Sequence, residues 1–377
     1  MIMQITNEMK DLRELVESYM EKEVAPVVGE IDASGEFPEK IYKDILDMGL
    51  HLLEVPEEYG GAMVDRKTEV YIAEALGRYD CGIASAIGAN NSACSTINLF
   101  GTAEQKKQYF DILVSGKLAA FCLTEPNAGS DAASVSTKAR LEGDEYVLSG
   151  TKCFITNGGV AGVYTVFAST DLSKGTKGLS AFFVERDRPG VSIGKHEDKM
   201  GIRLSNTTEV IFDECRIPKD HLIGEEGKGF VYAMKTLDTS RPFVGATGVG
   251  LAQRAIDEAV KYSKERVQFG KPIAYKQGLQ FMLADMQIQT EAARQLVHHT
   301  AELIDDGADY SIYSAMSKVM GSDTAMKVAC DALQIFGGYG YMKEYPIEKM
   351  MRDAKILQIY EGTNQIQRVV ISGIMLH

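Results

Sequence analysis

The stretch EYVLSGTKCFITNGGVAGVYTVFAST, residues 145–170, decides the fold class. Its runs EYVLSG, KCFIT and VYTVFAS are rich in β-branched and aromatic residues, and NGG at 157–159 is a turn signal between them. The same texture extends outward. AAFCLT precedes it, LSAFFVE and TEVIFDE follow, and EGD, SKGTKG and RPG mark further turns. Short strands at this spacing predict an antiparallel barrel or sandwich over residues 118–230.

On both sides the period becomes helical. Met9, Leu12, Val16 and Tyr19 recur at spacings of three and four, one apolar stripe. Pro38 opens a helix running through Ile45, with Gly49 where a C-terminal cap belongs. Thr102 and Gln105 form a capping box for a helix carrying Tyr109, Leu113 and Val114, which Gly116 ends. Beyond 231 the pattern predicts long helices at 241–267, 276–306 and 310–336. The expected fold is therefore α+β and multidomain: an N-terminal helical domain (1–117), a middle antiparallel β-barrel-like domain (118–230) and a C-terminal four-helix bundle (231–377). The most economical ligand site is the crevice where the β-domain meets the helical parts.

Bulk composition excludes several classes. The 377 residues carry a formal net charge of −13, against the basic face that a nucleic-acid binder needs. No apolar run reaches membrane-spanning length, so no membrane insertion is expected. The opening MIMQITNEMKDLRELVESYM is charged and helical in pattern, unlike a signal peptide. Cys81, Cys94, Cys122, Cys153, Cys215 and Cys330 form no C-x-x-C pair, and the six histidines show no H-E-x-x-H spacing. No metal site is expected, and a reducing cytoplasm is the expected location.

Five blocks carry a resemblance. They are FCLTEPNAGSDAAS (121–134), GTKCFITNGG (150–159), KMGIRLSNTTEVIFDECRIPKDHLIGEEGKGF (199–230), ERVQFGKPIAYKQGLQFMLADMQ (265–287) and QIFGGYGYMKEYPIEKMMRDAKILQIYEGTNQIQ (334–367). In this order and spacing they resemble the acyl-CoA dehydrogenases over essentially the whole chain. The resemblance implies that family's three-domain fold, usually in a homotetramer. It also implies FAD as cofactor, an acyl-CoA thioester of fatty acid metabolism as substrate, and electron-transferring flavoprotein as electron acceptor.

By the same resemblance, Glu361 in IYEGTNQIQ falls on the catalytic base, with Tyr360 and Gly362 on the substrate side. A lone Glu before Gly would otherwise read as a helix cap. Removing an α-proton needs a carboxylate whose pKa a dry pocket lifts toward neutrality. Some relatives carry the base on the helix near LDTSRP; here Ser240 stands there and cannot serve, which favours the straight-chain type of site. Phe121, Leu123 and Thr124 fall in the segment lining the flavin, and Ser130 on the CoA part. Phe154, Ile155 and Thr156 resemble the strand packing on the flavin face. The family often has Trp at the first of these, and Phe keeps the stacking surface. Arg266, Gln268, Phe269 and Gln277 match positions reaching the FAD diphosphate and adenosine, partly across a subunit interface. An arginine fork suits a diphosphate. Gln334, Gly337 and Gly338 match a contact from a neighbouring subunit, and Thr363 and Gln365 match further cofactor contacts. Asp238 and Arg241 match CoA-side contacts, with a structural ion pair as the plainer reading.

A nicotinamide fingerprint is rejected. GATGVG at 245–250 has its glycines in the wrong order and no strand before it. The resemblance implies an acyl pocket near RYDCGIASAIGANN, where relatives that take glutaryl-CoA place an arginine; the comparable place here is about Ala84, which offers no cation for a distal carboxylate, and the small Gly88 and Ala89 suggest a deeper or wider cavity. A neutral short- to medium-length or cyclic acyl group is expected. An enoyl-CoA reductase running the reaction backward, and a non-catalytic assembly partner, are the alternatives.

Overall fold

The computed structural model describes residues 3–376. Six helices come first: α1 (Asn7–Tyr19), α2 (Val28–Ser34), α3 (Glu39–Asp47), α4 (Arg66–Tyr79), α5 (Cys81–Phe100) and α6 (Ala103–Val114). In α1 the stripe buries Met9 and Val16, and the α6 capping box forms as the spacing predicts. α5 is buried on nearly every side, which suits its small residues CGIASAIGANNSACS.

The middle of the chain is one sheet. Its strands are β1 (Leu118–Cys122), β2 (Lys138–Glu142), β3 (Glu145–Thr156), β4 (Ala161–Ser169), β5 (Leu179–Glu185), β6 (Val191–His196), β7 (Thr207–Pro218) and β8 (Leu222–Ile223). They pair in the order β6-β7-β3-β2-β4-β5-β8, with β1 beside β4. Most pairs are antiparallel, but β1 and β4 run parallel, so the sheet is mixed rather than purely antiparallel. EYVLSG and KCFIT belong to a single strand, β3, which bends at two register shifts against β7. β2 and β6 escape the sequence pattern because KARLE and VSIGKH bury few side chains, as exposed strands can.

The C-terminal part begins with α7 (Gly229–Glu265), followed by a hairpin of β9 (Val267–Gln268) and β10 (Lys271–Pro272). Then come α8 (Gln277–Asp305), α9 (Ser311–Phe336), α10 (Ile347–Leu357) and α11 (Asn364–Leu376). α7 starts twelve residues before the expected 241 because Pro242 sits inside it rather than at its first turn. Proline cannot bond the carbonyl four residues back. That carbonyl, Asp238 O, instead accepts from Ser314 Oγ at 2.5 Å, so the helix runs through. The GATGVG stretch is where α7 meets α9 at close range: a Cβ on Gly321 would stand 2.5 Å from Gly245 O.

One buried cluster ties the three parts together. Lys349 on α10 donates to Asp80, the N-cap of α5, at 2.6 Å and to Asp353 at 2.5 Å. Asp353 also accepts the N–H of Ile202 from the β-domain at 2.6 Å.

Candidate active site

The crevice between the three parts is a cavity of about 360 Å³. α5 contributes Ser85, Gly88, Ala89 and Ser92, and β1 with its following loop contributes Phe121, Leu123, Thr124 and Ser130. β3 adds Phe154 and Thr156; α7 adds Phe230, Met234, Leu237, Arg241 and Phe243; the turn between α10 and α11 adds Tyr360, Glu361 and Gly362.

Glu361 is held in an unusual backbone state. Its φ is +53°, left-handed, and Gly362 follows at +87°. Such a conformation costs a non-glycine residue about 1–3 kcal/mol and persists only where surroundings over-determine it. Here Gln367 Nε2 donates to the carbonyls of Glu361 and Gly362, both at 3.1 Å, and Lys318 Nζ donates to Gly362 O at 2.9 Å. The carboxylate faces the cavity and accepts from Ser240 Oγ at 2.8 Å. Burial pushes its pKa up, opposed by the Ser240 hydrogen bond and by the charges of Arg241 and Lys318. Tyr360 Oη sits 3.1 Å from Ser85 Oγ, fixing the residue beside Glu361.

Phe154 is 64% exposed, while its neighbours Cys153 and Ile155 are buried. The cause is local: its φ is +56°, inside a register shift of β3 against β7, and such a bulge re-aims a side chain. The ring stands on the cavity wall as a flat apolar face. Ile155, 2% exposed, packs in the sheet core, so its side chain does not reach the cavity.

The loop bearing Thr124 and Ser130 is knotted by Glu125, which sequence reasoning missed. The buried carboxylate accepts from Ser136 N and Oγ (both 2.7 Å), Thr137 N (3.0 Å) and Oγ1 (2.5 Å), and Lys152 Nζ (2.7 Å). Lys152 also donates to Leu123 O at 3.1 Å. Burial works to raise the Glu125 pKa, but the Lys152 charge and these hydrogen bonds bring it down to about 2. The available signal was a Lys inside the otherwise apolar run KCFIT, which needs a buried partner.

Other expected residues lie elsewhere. Asp238 does not line the cavity; its carboxylate is taken by Arg241 and by Ser311 Oγ at 3.2 Å, the structural ion pair of the plainer reading. Arg241 does line it, with its Nε buried and unpartnered among the described residues. Thr363 caps α11, accepting from Ile366 N at 3.2 Å, and Gln365 is exposed on the first turn. Arg266, Gln268, Gly337 and Gly338 gather in a second cavity of about 510 Å³, which shares no lining residue with the first. Arg266 stacks over Tyr339 there, 5.2 Å from the ring centre. Phe269 is 91% exposed at the tip of the β9–β10 hairpin, and Gln277 and Gln334 are exposed. Gly88 and Ala89 both line the first cavity, and Phe243 closes on Gly88: a Cβ there would stand 3.0 Å from its ring.

Fold and cavity define an enzyme scaffold of helices, sheet and helices with its site at their junction. Family models match in the same succession: acyl-CoA dehydrogenase N-terminal domain over residues 6–117, middle domain over 120–215 and C-terminal domain over 227–376. Acryloyl-CoA reductase (NADH) of Anaerotignum propionicum is 48% identical over 371 residues, 98% of this chain and 94% of that protein. Butyryl-CoA dehydrogenase from Megasphaera elsdenii superposes with a TM-score of 0.97 at 45% identity, covering both chains completely. So does a chain from the structure of the electron transferring flavoprotein of Acidaminococcus fermentans, at TM-score 0.97 and 47% identity. The chain belongs to the acyl-CoA dehydrogenase family. No helix among the described residues is long and apolar enough to cross a membrane.

Proposed function

We propose that this FAD-dependent acyl-CoA dehydrogenase uses Glu361 to remove the α-proton of an acyl-CoA thioester, yielding the trans-2-enoyl-CoA. The observation that carries the reading is the Glu361 carboxylate in the wall of an apolar cavity, its pKa raised by burial and its orientation fixed by Ser240. A raised pKa makes a carboxylate a stronger base at neutral pH. The cavity suits the cofactor's ring: Phe154 offers a flat apolar face, and the Leu123–Thr124 backbone lies beside it in a loop already locked in place. When bound, FAD supplies the two-electron acceptor for the β-hydrogen, and electron-transferring flavoprotein then takes the electrons on. Arg266, Gln268, Gly337 and Gly338, in the second cavity, suit a diphosphate and adenosine reached across the interface of a homotetramer.

The backbone N–H of Glu361 is proposed as a donor to the thioester oxygen, a contact typically worth about 3 kcal/mol where charge develops. Phe230, Met234, Leu237 and Phe243 make the α7 wall of the cavity apolar, and Arg241, the one cation among its lining residues, is paired with Asp238. This favours a neutral short- to medium-length or cyclic acyl group. The unpaired cysteines favour a cytoplasmic location.

The reverse reaction is a second reading, favoured by the likeness to the acryloyl-CoA reductase. Anaerobic titration of the flavoprotein with butyryl-CoA separates the two. Bleaching of the flavin by the saturated thioester is the expected result. A flavin that no saturated thioester bleaches, yet whose reduced form an enoyl-CoA reoxidises, would replace this reading with the reductase.

A further inference from the structure

Lys318 lies in the middle of α9, fully buried, behind the turn that carries Glu361. Its Nζ donates to Gly362 O and to Asn364 Oδ1, both at 2.9 Å. Asn364 is fixed in turn, its Nδ2 donating to Ser322 Oγ at 2.9 Å and to Asp323 Oδ1 at 2.7 Å. Among the described residues no carboxylate lies within ion-pair distance of Lys318. An interior ammonium held only by neutral acceptors is costly. The carboxylate that acts on it most strongly is that of Glu361, itself desolvated on the cavity wall.

We infer that Lys318 is a positioning residue for the base: its ammonium clamps the left-handed Glu361–Gly362 turn from behind and favours the ionised form of the Glu361 carboxylate. The inference rests on Glu361 being the base. Three other groups bear on that carboxylate: Ser240 and Arg241 from α7 and Glu69 from α4. Lys318 itself is faced by Glu361, by Arg241 and by Asp323 of its own helix. A nearby cation lowers a carboxyl pKa, so taking the cation away must raise it. A second consequence concerns alkali. Burial lowers the Lys318 pKa to about 8, so the clamp loses its charge at mildly alkaline pH in the native enzyme.

The experiment is kcat and kcat/KM against pH for K318M and K318Q, with flavin absorbance and thermal unfolding measured on each, and E361Q run alongside. In K318M the flavin should stay bound and the acid limb of kcat/KM should move up by about one pH unit. Its kcat at pH 7 should fall about 10- to 100-fold, the loss expected of a misplaced base. The K318Q amide can replace one hydrogen bond but not the charge, so it should recover part of kcat while its acid limb stays displaced. It also carries the test if K318M does not fold. An acid limb coinciding with the native one in a flavin-loaded lysine variant would overturn the inference. Turnover surviving in E361Q would instead overturn the reading of Glu361 itself.

Discussion

Ser240 Oγ stands 2.8 Å from Glu361 Oε2. Ser240, at the place where the sequence resemblance implies an alternative base, is thus a hydrogen-bond donor to the carboxylate proposed as the base here. Two side chains 121 residues apart in sequence meet on one carboxylate because α7 and the α10–α11 turn converge on the cavity.

Removing that donor should weaken the ionised form of Glu361. A hydrogen bond to a charged group is worth about 1.5–3 kcal/mol, and one pKa unit is about 1.4 kcal/mol. Ser240→Ala should therefore shift the acid limb of kcat/KM upward by about one to two units. Turnover well above that limb should change little. A pH-rate series checks this, and a limb displaced downward would contradict it.

Glu361→Gln keeps the shape of the side chain and removes the carboxylate proposed as the base. Turnover should drop by at least about 10³-fold while FAD remains bound. The native enzyme should lose activity as pH falls through the raised Glu361 pKa, since only the carboxylate can accept the proton. Stopped-flow flavin reduction and the absorbance spectrum measure the two halves of this prediction separately.

Glu125→Gln would leave the Lys152 ammonium buried without its counter-charge. Breaking one side of a buried pair costs about 3–5 kcal/mol. A large fall in Tm is expected, together with faster loss of flavin from the surviving fold. The native pair carries a pH signature. The Glu125 pKa is depressed, so its stabilisation is present above the ordinary carboxylate range and disappears as pH falls toward about 2. Acid unfolding curves of native and variant protein should converge at the low end.

Phe154→Ala takes a mostly exposed ring from a strained strand position and should leave the sheet intact. Aromatic stacking is worth about 0.5–1.5 kcal/mol beyond area, so FAD should bind about 2- to 10-fold more weakly. Equilibrium dialysis of FAD against the apoprotein tests it, and unchanged affinity would remove Phe154 from the ring's wall.

Gly321→Ala would push a methyl against the backbone of Gly245. Overpacking of this kind costs about 1–3 kcal/mol. A lower Tm is expected in thermal unfolding, since the methyl would press α7 and α9 apart.

What could be read in advance followed the range of each interaction. The α6 capping box and the runs that became β4 and β5 are local patterns, and they were legible. The start of α7 was not, because what lets Pro242 sit inside a helix is Ser314, 72 residues further on. Glu361 was found through a block of sequence, but its clamp of Lys318, Gln367 and Ser240 comes from three different elements. Phe154 was singled out for its face, and the reversed backbone that displays that face depends on a mismatch with β7 that one strand cannot announce. Gly88 and Ala89 do line the cavity, but that Phe243 closes on Gly88 from α7 is a contact the local sequence does not announce.

The knot around Glu125 and Lys152 closes using protein groups alone. Both ends of the 123–137 segment are therefore anchored by the fold itself, and the entropy of ordering those ends is lost during folding rather than at the moment of association. Capture of the cofactor at this wall should accordingly resemble a key entering a cut lock, limited by diffusion and fit, and not a loop folding around its guest.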